Sequence, residues 1–458
     1  MTVDVAAALD DLTDSLGGAL LRGASVRDLH GRDESMNAAA LPDAVYIPAS
    51  TKDAANAVAI CAKHALPVVP FGVGSGQEGG TVASFGGLSV DTSALNTILE
   101  INEADRDCLV EAGVTRLQLD AALRGTGLFF PVDPGADASI GGMVATGAAG
   151  TLTPLYGAMR DNVLGLEVVM ADGTLIETGN RARKSSAGYN LTQLFVASEG
   201  TLGLITKVRL KLHPQPETRT ALSAEFTDVK GAVDAVTTLS AAGLPLARAE
   251  MMDAVLMRGV ALMKNVPDRE RNLLCVEFHG PTSAVDEQIE MARDICIDTG
   301  GTRIKTATRT EELSEIWATR HKAAEAERYL KPGAAVIVTD VCVPVSELPH
   351  IIEAASQQLL DLQLLAPLSG HLGDGNFHYA ILIDPSDDEA LNRAERFKIW
   401  LAQTATNLGG TISGEHGIGL GKRSLMKSAH GPAADVMRAI KKSLDPLGIF
   451  NPGKVLPQ

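Results

Sequence analysis

The sequence predicts a chain of mixed α and β structure built in two parts, and three observations carry this. Residues 68 to 213 hold short apolar segments punctuated by glycine, with few helical patterns. HPQPETRT, residues 213 to 220, brings two prolines and polar neighbours, the composition of a domain boundary. Beyond it, apolar strand-like runs alternate with segments of helical period.

The first helix with clear punctuation spans 51 to 66: Thr51 can cap it, Ala54, Ala57, Val58 and Cys61 share a face, and Pro67 ends it. LPVVPFG then reads as a buried strand, and GGLSVDTS, CLVEAGVT, VLGLEVVMADG and LGLITKVRLKL read as further strands. Past the boundary, ALSAEFTD precedes a helix at 229–242, LLCVEFHG one at 283–299, and VIVTDVCV one at 347–363. EIWATRHKAAEAERYL, residues 315 to 330, reads as one helix. The helix from Ser386 opens with Ser-x-x-Glu, a capping-box pattern. A last helix, 432–444, starts at Pro432 and ends in two lysines, as the helix dipole favours. No internal repeat is visible.

At 458 residues, 45% of them hydrophobic, the chain can bury a sizeable core in two or three domains. A formal net charge of −16 argues against nucleic acid or an anionic membrane as bulk partner. It leaves room for a small anionic substrate, which needs one or two placed cations. Cys61, Cys108, Cys275, Cys296 and Cys342 show no CxxC spacing and read as reduced core residues. The opening MTVDVAAALDD is acidic, unlike a signal or Arg-rich transit peptide, and no apolar run is long enough to span a bilayer. The expected location is cytoplasmic, or peripheral to the inner membrane.

VVPFGVGSGQEGG, residues 68 to 80, places a glycine-rich turn directly after a strand, where backbone N–H groups can converge on phosphate without Cβ obstruction. Gly74, Gly76 and Gly79 satisfy GxGxxG, but GTVASFGGLSVD follows where a Rossmann unit needs a helix, and Asp91 falls too early for the ribose acid. HGIGLGKR, 416 to 423, fails as a Walker A motif at both ends. PVDPGADASIGGMVATGAAGT (131–151) and SEGTLGLIT (198–206) add two more glycine-rich loops. Three such loops fit a dinucleotide held along its length; the bland alternative is tight turns.

HLGDGNFHYAIL, 371 to 382, sets two histidines around a Gly-Asp-Gly-Asn turn. A bend there, followed by a strand from Phe377 to Ile383, can bring both imidazoles to one point. SGEHGIGLGKR, 413 to 423, offers Glu415 beside His416 between glycines that free the backbone. His371, His378 and Glu415 make a His2Glu set that suits Zn²⁺ or Mn²⁺ with a coordination position open for substrate. On spacing alone, hydrogen-bonded structural histidines are the competing reading.

PFGVGSGQEGG, DPGADASIGG, YGAMRDNVLGLEVVMADG, KSSAGYNLTQLFVASEGTLGLIT and FNPGKVLP together resemble the FAD-binding flavoproteins of the vanillyl-alcohol oxidase type. Within them the chain is most similar to the D-lactate dehydrogenases that pass electrons to cytochrome c and to glycolate oxidase flavin subunits, from about residue 40 to the end. The resemblance implies an α+β fold: a two-subdomain FAD-binding domain (1–214), an α/β substrate- and metal-binding cap with an antiparallel sheet (215–440), and a tail (441–458) returning to the FAD domain. It implies that Pro70, Gly72, Gly74, Ser75 and Gly76 wrap the pyrophosphate. Pro134, Gly135, Ser139, Gly142 and Thr146 would hold the flavin side, Glu199, Gly200 and Ile205 the adenosine side, and Asn451 would lie near the isoalloxazine. The first loop carries Phe71 and Val73 and no His, so FAD is expected to be non-covalent.

The same resemblance turns the His2Glu set into a divalent-metal site and His416 into a general base for oxidation of a D-2-hydroxy acid. It places a substrate-carboxylate cation at Arg320, whose bland reading is a solvated helix charge. Lys422 and Arg423 read as further cations near the site or as surface charges. Val338 stands where the branch acting on 2-hydroxyglutarate has a lysine, which argues for a monocarboxylate such as lactate. The electron acceptor (cytochrome c, a quinone or another flavoprotein) and the oligomeric state, a homodimer among the options, have no readable motif. Three other readings stand beside this one: the flavin subunit of a multi-subunit glycolate oxidase, an FAD-binding relay subunit without its own substrate site, and a zinc hydrolase with a nucleotide-binding accessory domain.

Overall fold

The computed structural model describes residues 4–16, 20–268 and 270–457. It divides into two compact units, Met1–Ala149 with Gly157–Gln215 and Glu415–Gln458, and Gly150–Tyr156 with Pro216–Gly414. The architecture is α+β.

The first unit holds two subdomains. In one, a four-stranded sheet runs in the order Leu20–Leu21, Ala44–Tyr46, Leu88–Asp91, Val68–Phe71, and Leu88–Asp91 pairs in parallel with both neighbours. Helices Val5–Leu16 and Thr51–His64 cover it through Ala8, Leu12, Ala54, Val58 and Cys61. The tail closes the same core: Ile449 and Phe450 are buried in it, and Asn451 N donates to Val68 O at 2.8 Å. The other subdomain is an antiparallel sheet in the order Ile98–Asn102, Asp107–Glu111, Leu204–Lys211, Val163–Val169, Leu175–Gly179. Its core is Val110, Leu119, Ile140, Met143, Val168 and Val208.

The second unit is built on an antiparallel sheet in the order Thr302–Ala307, Thr218–Phe226, Asn272–Gly280, Leu246–Met252, Leu368–His371, Asn376–Ile383, Ala335–Val338, with Val341–Cys342 also paired to Asn376–Ile383. Side chains alternate between faces with period two. Ala249, Met251, Val276, Phe278, Phe377 and Tyr379 enter a core shared with helices Val229–Ala241, Thr282–Asp298, Leu348–Asp361 and Asp388–Asn407. Met252 and Leu273 enter a smaller core with helices Ala254–Lys264 and Ala323–Leu330. Along that second face the apolar residues give way to Glu250, Glu277 and His279, all buried.

Local corrections have physical causes. Ser50, not Thr51, caps the first punctuated helix, accepting from Asp53 N, while Thr51 Oγ1 turns to Glu167 at 2.9 Å. Asp387 caps Asp388–Asn407, and Ser386 bonds backward to Asp384. Residues 310–330 form two helices, Thr310–His321 and Ala323–Leu330, broken at Lys322. The second piece lies so close to Ala254–Lys264 that a Cβ on Gly259 would meet Ala326 O at 2.6 Å. VIVTDVCV forms two short strands interrupted at Thr339–Asp340. The cysteines form no disulfide among the described residues; four are buried and Cys342 is partly buried, with Sγ donating to Asp374 O at 3.2 Å. No helix among the described residues is long and apolar enough to cross a membrane.

Candidate active site

His371 ends one strand, His378 lies inside the next, and Leu372–Gly375 turns between them. Gly375 has φ +85°, and a Cβ there would lie 1.9 Å from Val343 O, so only glycine makes this turn. The imidazoles come within 5.6 Å, centroid to centroid, nearly edge-on. His371 Nδ1 bonds Glu250 Oε1 at 2.6 Å and His378 Nδ1 bonds Thr339 O at 3.0 Å. Both rings therefore present Nε2, the arrangement by which outer hydrogen bonds orient metal-ligating histidines.

Of the expected donor set, His371 and His378 lie in the second unit and Glu415 in the first, with His416 beside it in sequence. Asp340 Oδ1 already accepts from Asn376 Nδ2 at 2.8 Å and Oδ2 from Ser413 Oγ at 2.6 Å. The donor set of two imidazoles and a carboxylate fits Zn²⁺ or Mn²⁺.

Arg320 is no solvated charge: its Nε donates to Glu250 Oε2 at 2.7 Å. Burial pushes the Glu250 carboxyl up, but His371 and Arg320 outweigh it and hold it below the usual carboxylate range. Glu327, buried on Ala323–Leu330, goes the other way: burial raises it to about 7, against the opposing charges of Arg320 and His378. On the same sheet face Glu277 accepts from Trp317 Nε1, which sits three residues before Arg320, and bonds His279. His279 Nδ1 in turn meets Tyr156 OH at 2.8 Å.

In the first unit the three glycine-rich loops converge. Residues 72–86 are bends and turns with no helix, which excludes the Rossmann arrangement. A Cβ on Gly72 would sit 2.4 Å from Ser139 Oγ and 3.9 Å from Gly142 Cα, and one on Gly200 would sit 2.8 Å from Pro70 Cγ. Ser139 caps helix Ile140–Thr146, accepting from Gly142 N, and Thr146 Oγ1 bonds Gly142 O at 3.1 Å. Gly74 and Gly135 adopt positive φ, and a Cβ on Gly135 would meet none of the described residues beyond its chain neighbours within 4 Å. Ile205 is a core residue. Asn451 Nδ2 ties the loops together, donating to Gly80 O at 2.9 Å and Glu199 O at 2.8 Å. Ser198 Oγ and Asp33 Oδ2 are buried there without a protein partner. A cradle kept open by glycines, with the Ser198 hydroxyl at its edge as a donor, fits a phosphate-bearing dinucleotide.

The Glu199 carboxylate is engaged by backbone N–H groups of the loop after His416. It accepts from Ile418 N at 2.7 Å and Gly419 N at 2.8 Å. Burial raises it to about 7, with those two bonds opposing. Lys422 is no surface charge: it is buried and pairs with Glu78 at 3.1 Å.

The family described as FAD binding domain matches residues 42–179, and the family described as FAD linked oxidases, C-terminal domain, matches residues 215–455. The chain belongs to the FAD-linked oxidases. This FAD-linked oxidase is 45% identical over 438 residues to a probable mitochondrial D-lactate dehydrogenase of Danio rerio, covering 95% of this chain and 88% of that protein. It is 38% identical to the mitochondrial D-lactate dehydrogenase [cytochrome] of Arabidopsis thaliana, covering 94% and 76%. It is 34% identical to glycolate oxidase subunit GlcD of Bacillus subtilis, covering 94% and 92%. Among solved structures, p-cresol methylhydroxylase with substrate bound shares the fold at TM-score 0.79 and 19% identity, covering 99% of this chain and 97% of that one. The protein is an FAD-linked oxidoreductase.

Sequence reasoning named His371, His378, Glu415, His416 and Arg320, but not Glu250, Glu327 or the Tyr156–His279–Glu277 series. The available signal was a carboxylate inside a buried strand, as in LARAEMM and NLLCVEFHG.

Proposed function

We propose that this oxidase converts a D-2-hydroxy acid, in the first place D-lactate, to the 2-oxo acid. The His371 and His378 pair carries this reading: two imidazoles flanking one turn, each with Nδ1 held and Nε2 presented. The relatives named D-lactate dehydrogenase support the substrate class, and the uncharged Val338 supports a monocarboxylate. Bound FAD supplies the two-electron acceptor for the α-hydrogen, and a divalent ion on His371, His378 and Glu415 supplies a Lewis acid for the substrate hydroxyl.

The chain's own residues do the rest. Arg320 binds the substrate carboxylate through its Nη1 and Nη2 fork, Nε being held by Glu250. His416 takes the hydroxyl proton on an imidazole nitrogen, so the substrate loses one hydride and one proton. Pro70, Gly72, Gly74, Ser75 and Gly76 face the pyrophosphate through backbone; Pro134, Gly135, Ser139, Gly142 and Thr146 lie along the flavin. Glu199 contributes through its backbone, next to Gly200 and Asn451. FAD is held without a covalent bond in the unit of Met1–Ala149, Gly157–Gln215 and Glu415–Gln458, with the unit of Gly150–Tyr156 and Pro216–Gly414 as the cap; the cap thus ends at Gly414 rather than at 440. Electrons pass to a cytochrome, quinone or flavoprotein, in a cytoplasmic or membrane-peripheral setting.

The test is anaerobic mixing of the purified flavoprotein with D- and L-2-hydroxy acids. D-lactate should bleach the visible flavin band and L-lactate should not. A protein that glycolate bleaches and D-lactate leaves untouched would replace this reading with that of the glycolate oxidase subunit.

A further inference from the structure

We propose that Glu250 is a positioning residue that fixes the metal-facing nitrogen of His371 and the guanidinium plane of Arg320 at once, so that metal affinity and substrate-carboxylate recognition depend on one buried carboxylate. The inference rests on the metal and Arg320 roles proposed above and adds the residue that sets both.

Glu250 lies in Leu246–Met252 with no solvent exposure. The sheet register places it opposite His371 on one neighbouring strand and opposite Cys275 on the other. Each oxygen takes one donor: Oε1 lies 2.6 Å from His371 Nδ1, and Oε2 lies 2.7 Å from Arg320 Nε. A buried carboxylate is tolerated only with such partners, so the three groups hold one another. The bond at Nδ1 selects the tautomer whose Nε2 lone pair can ligate a metal. The bond at Nε fixes the plane of the guanidinium, and a carboxylate is read by that planar fork.

Two residues further along the same strand face, Arg248 stands opposite Glu277, the carboxylate that holds Trp317. Helix Thr310–His321 therefore has a second anchor on the sheet. Loss of the Glu250 contact releases Arg320 without releasing the helix, which makes positioning separable from folding.

Glu250→Gln keeps the size but offers one acceptor to two donors. Its measured quantities are Zn²⁺ and Mn²⁺ affinity by competition with a chromophoric chelator, KM and kcat for D-lactate, FAD content and melting temperature. We expect metal affinity to fall about 10- to 100-fold, as when outer partners of metal-binding histidines are removed. KM should rise by about tenfold, as when one partner of a charged pair is lost, with FAD content unchanged. If Glu250→Gln folds poorly, Glu250→Asp, one methylene too short to span both donors, should show the same two losses. Metal affinity and KM within about threefold of wild type would overturn the inference. So would losses that follow FAD content and melting temperature alone. A wild-type protein that takes up metal, loses it in His378→Ala and keeps it in Glu250→Gln sinks this inference only; a wild type that takes up none sinks the metal reading with it.

Discussion

Gly72→Ala tests whether the glycine loops meet as closely as the structure has them. The added Cβ would fall 2.4 Å from Ser139 Oγ, far inside contact distance, so the hydroxyl must swing away. That hydroxyl caps Ile140–Thr146 by accepting from Gly142 N at 3.3 Å. Loss of a serine N-cap costs about 1 kcal/mol, within a range of roughly 0.5 to 2. The φ of Gly72 is not in the left-handed region, so no backbone strain adds to this. In a Ser139→Ala background the same methyl meets the residue-139 Cβ at 3.7 Å and Gly142 Cα at 3.9 Å, both ordinary contacts. A double-mutant cycle by urea unfolding of the FAD-free protein should therefore show a coupling of about 1 kcal/mol, with Gly72→Ala nearly neutral once Ser139 is gone. FAD affinity should drop in every Gly72→Ala protein, because the methyl occupies the cradle. An equal cost of Gly72→Ala in both backgrounds would refute the close approach of the two loops.

Three further outcomes follow from the site. The Glu199 carboxyl is raised from 4.5 to about 7 by burial, so between those values the folded protein holds a proton that the unfolded chain has lost. Its contribution to stability is thus present at low pH and declines as pH rises through that window, by roughly 3 kcal/mol in all. Glu199→Gln should flatten the melting temperature against pH over that range, and parallel profiles would contradict the shift. Gly419→Ala, at φ +47° with a Cβ 2.1 Å from Glu78 O, should cost about 2 kcal/mol or more in urea unfolding, and a neutral result would show that the loop after His416 is held differently. Arg320→Lys keeps the charge and loses the fork; KM for D-lactate should rise about tenfold with kcat changed less, and an unchanged KM would remove Arg320 from carboxylate binding.

Much of the strand pattern was legible because buried strands carry continuous apolar runs: Val163–Val169 and Leu204–Lys211 lie where VLGLEVV and LITKVRLK place them. Helix starts were read one residue off at Ser50 and Asp387, since adjacent Ser, Thr and Asp all cap and only geometry chooses among them. The His371–His378 turn was legible through Gly375. Glu250 was not, because its meaning comes from strand pairing: 121 residues separate it from His371, and no local pattern encodes that register. Of the two readings of Lys422, the surface charge fails, and its partner Glu78 is equally remote in sequence.

The central claim is met most directly by the rate of anaerobic flavin reduction by D-lactate in wild type and in His378→Ala, at matched FAD content. Rapid bleaching of the wild type, and a rate lower by about 100-fold or more in the variant with its FAD retained, is the outcome that a histidine-held Lewis acid predicts. Equal rates in the two proteins would contradict it.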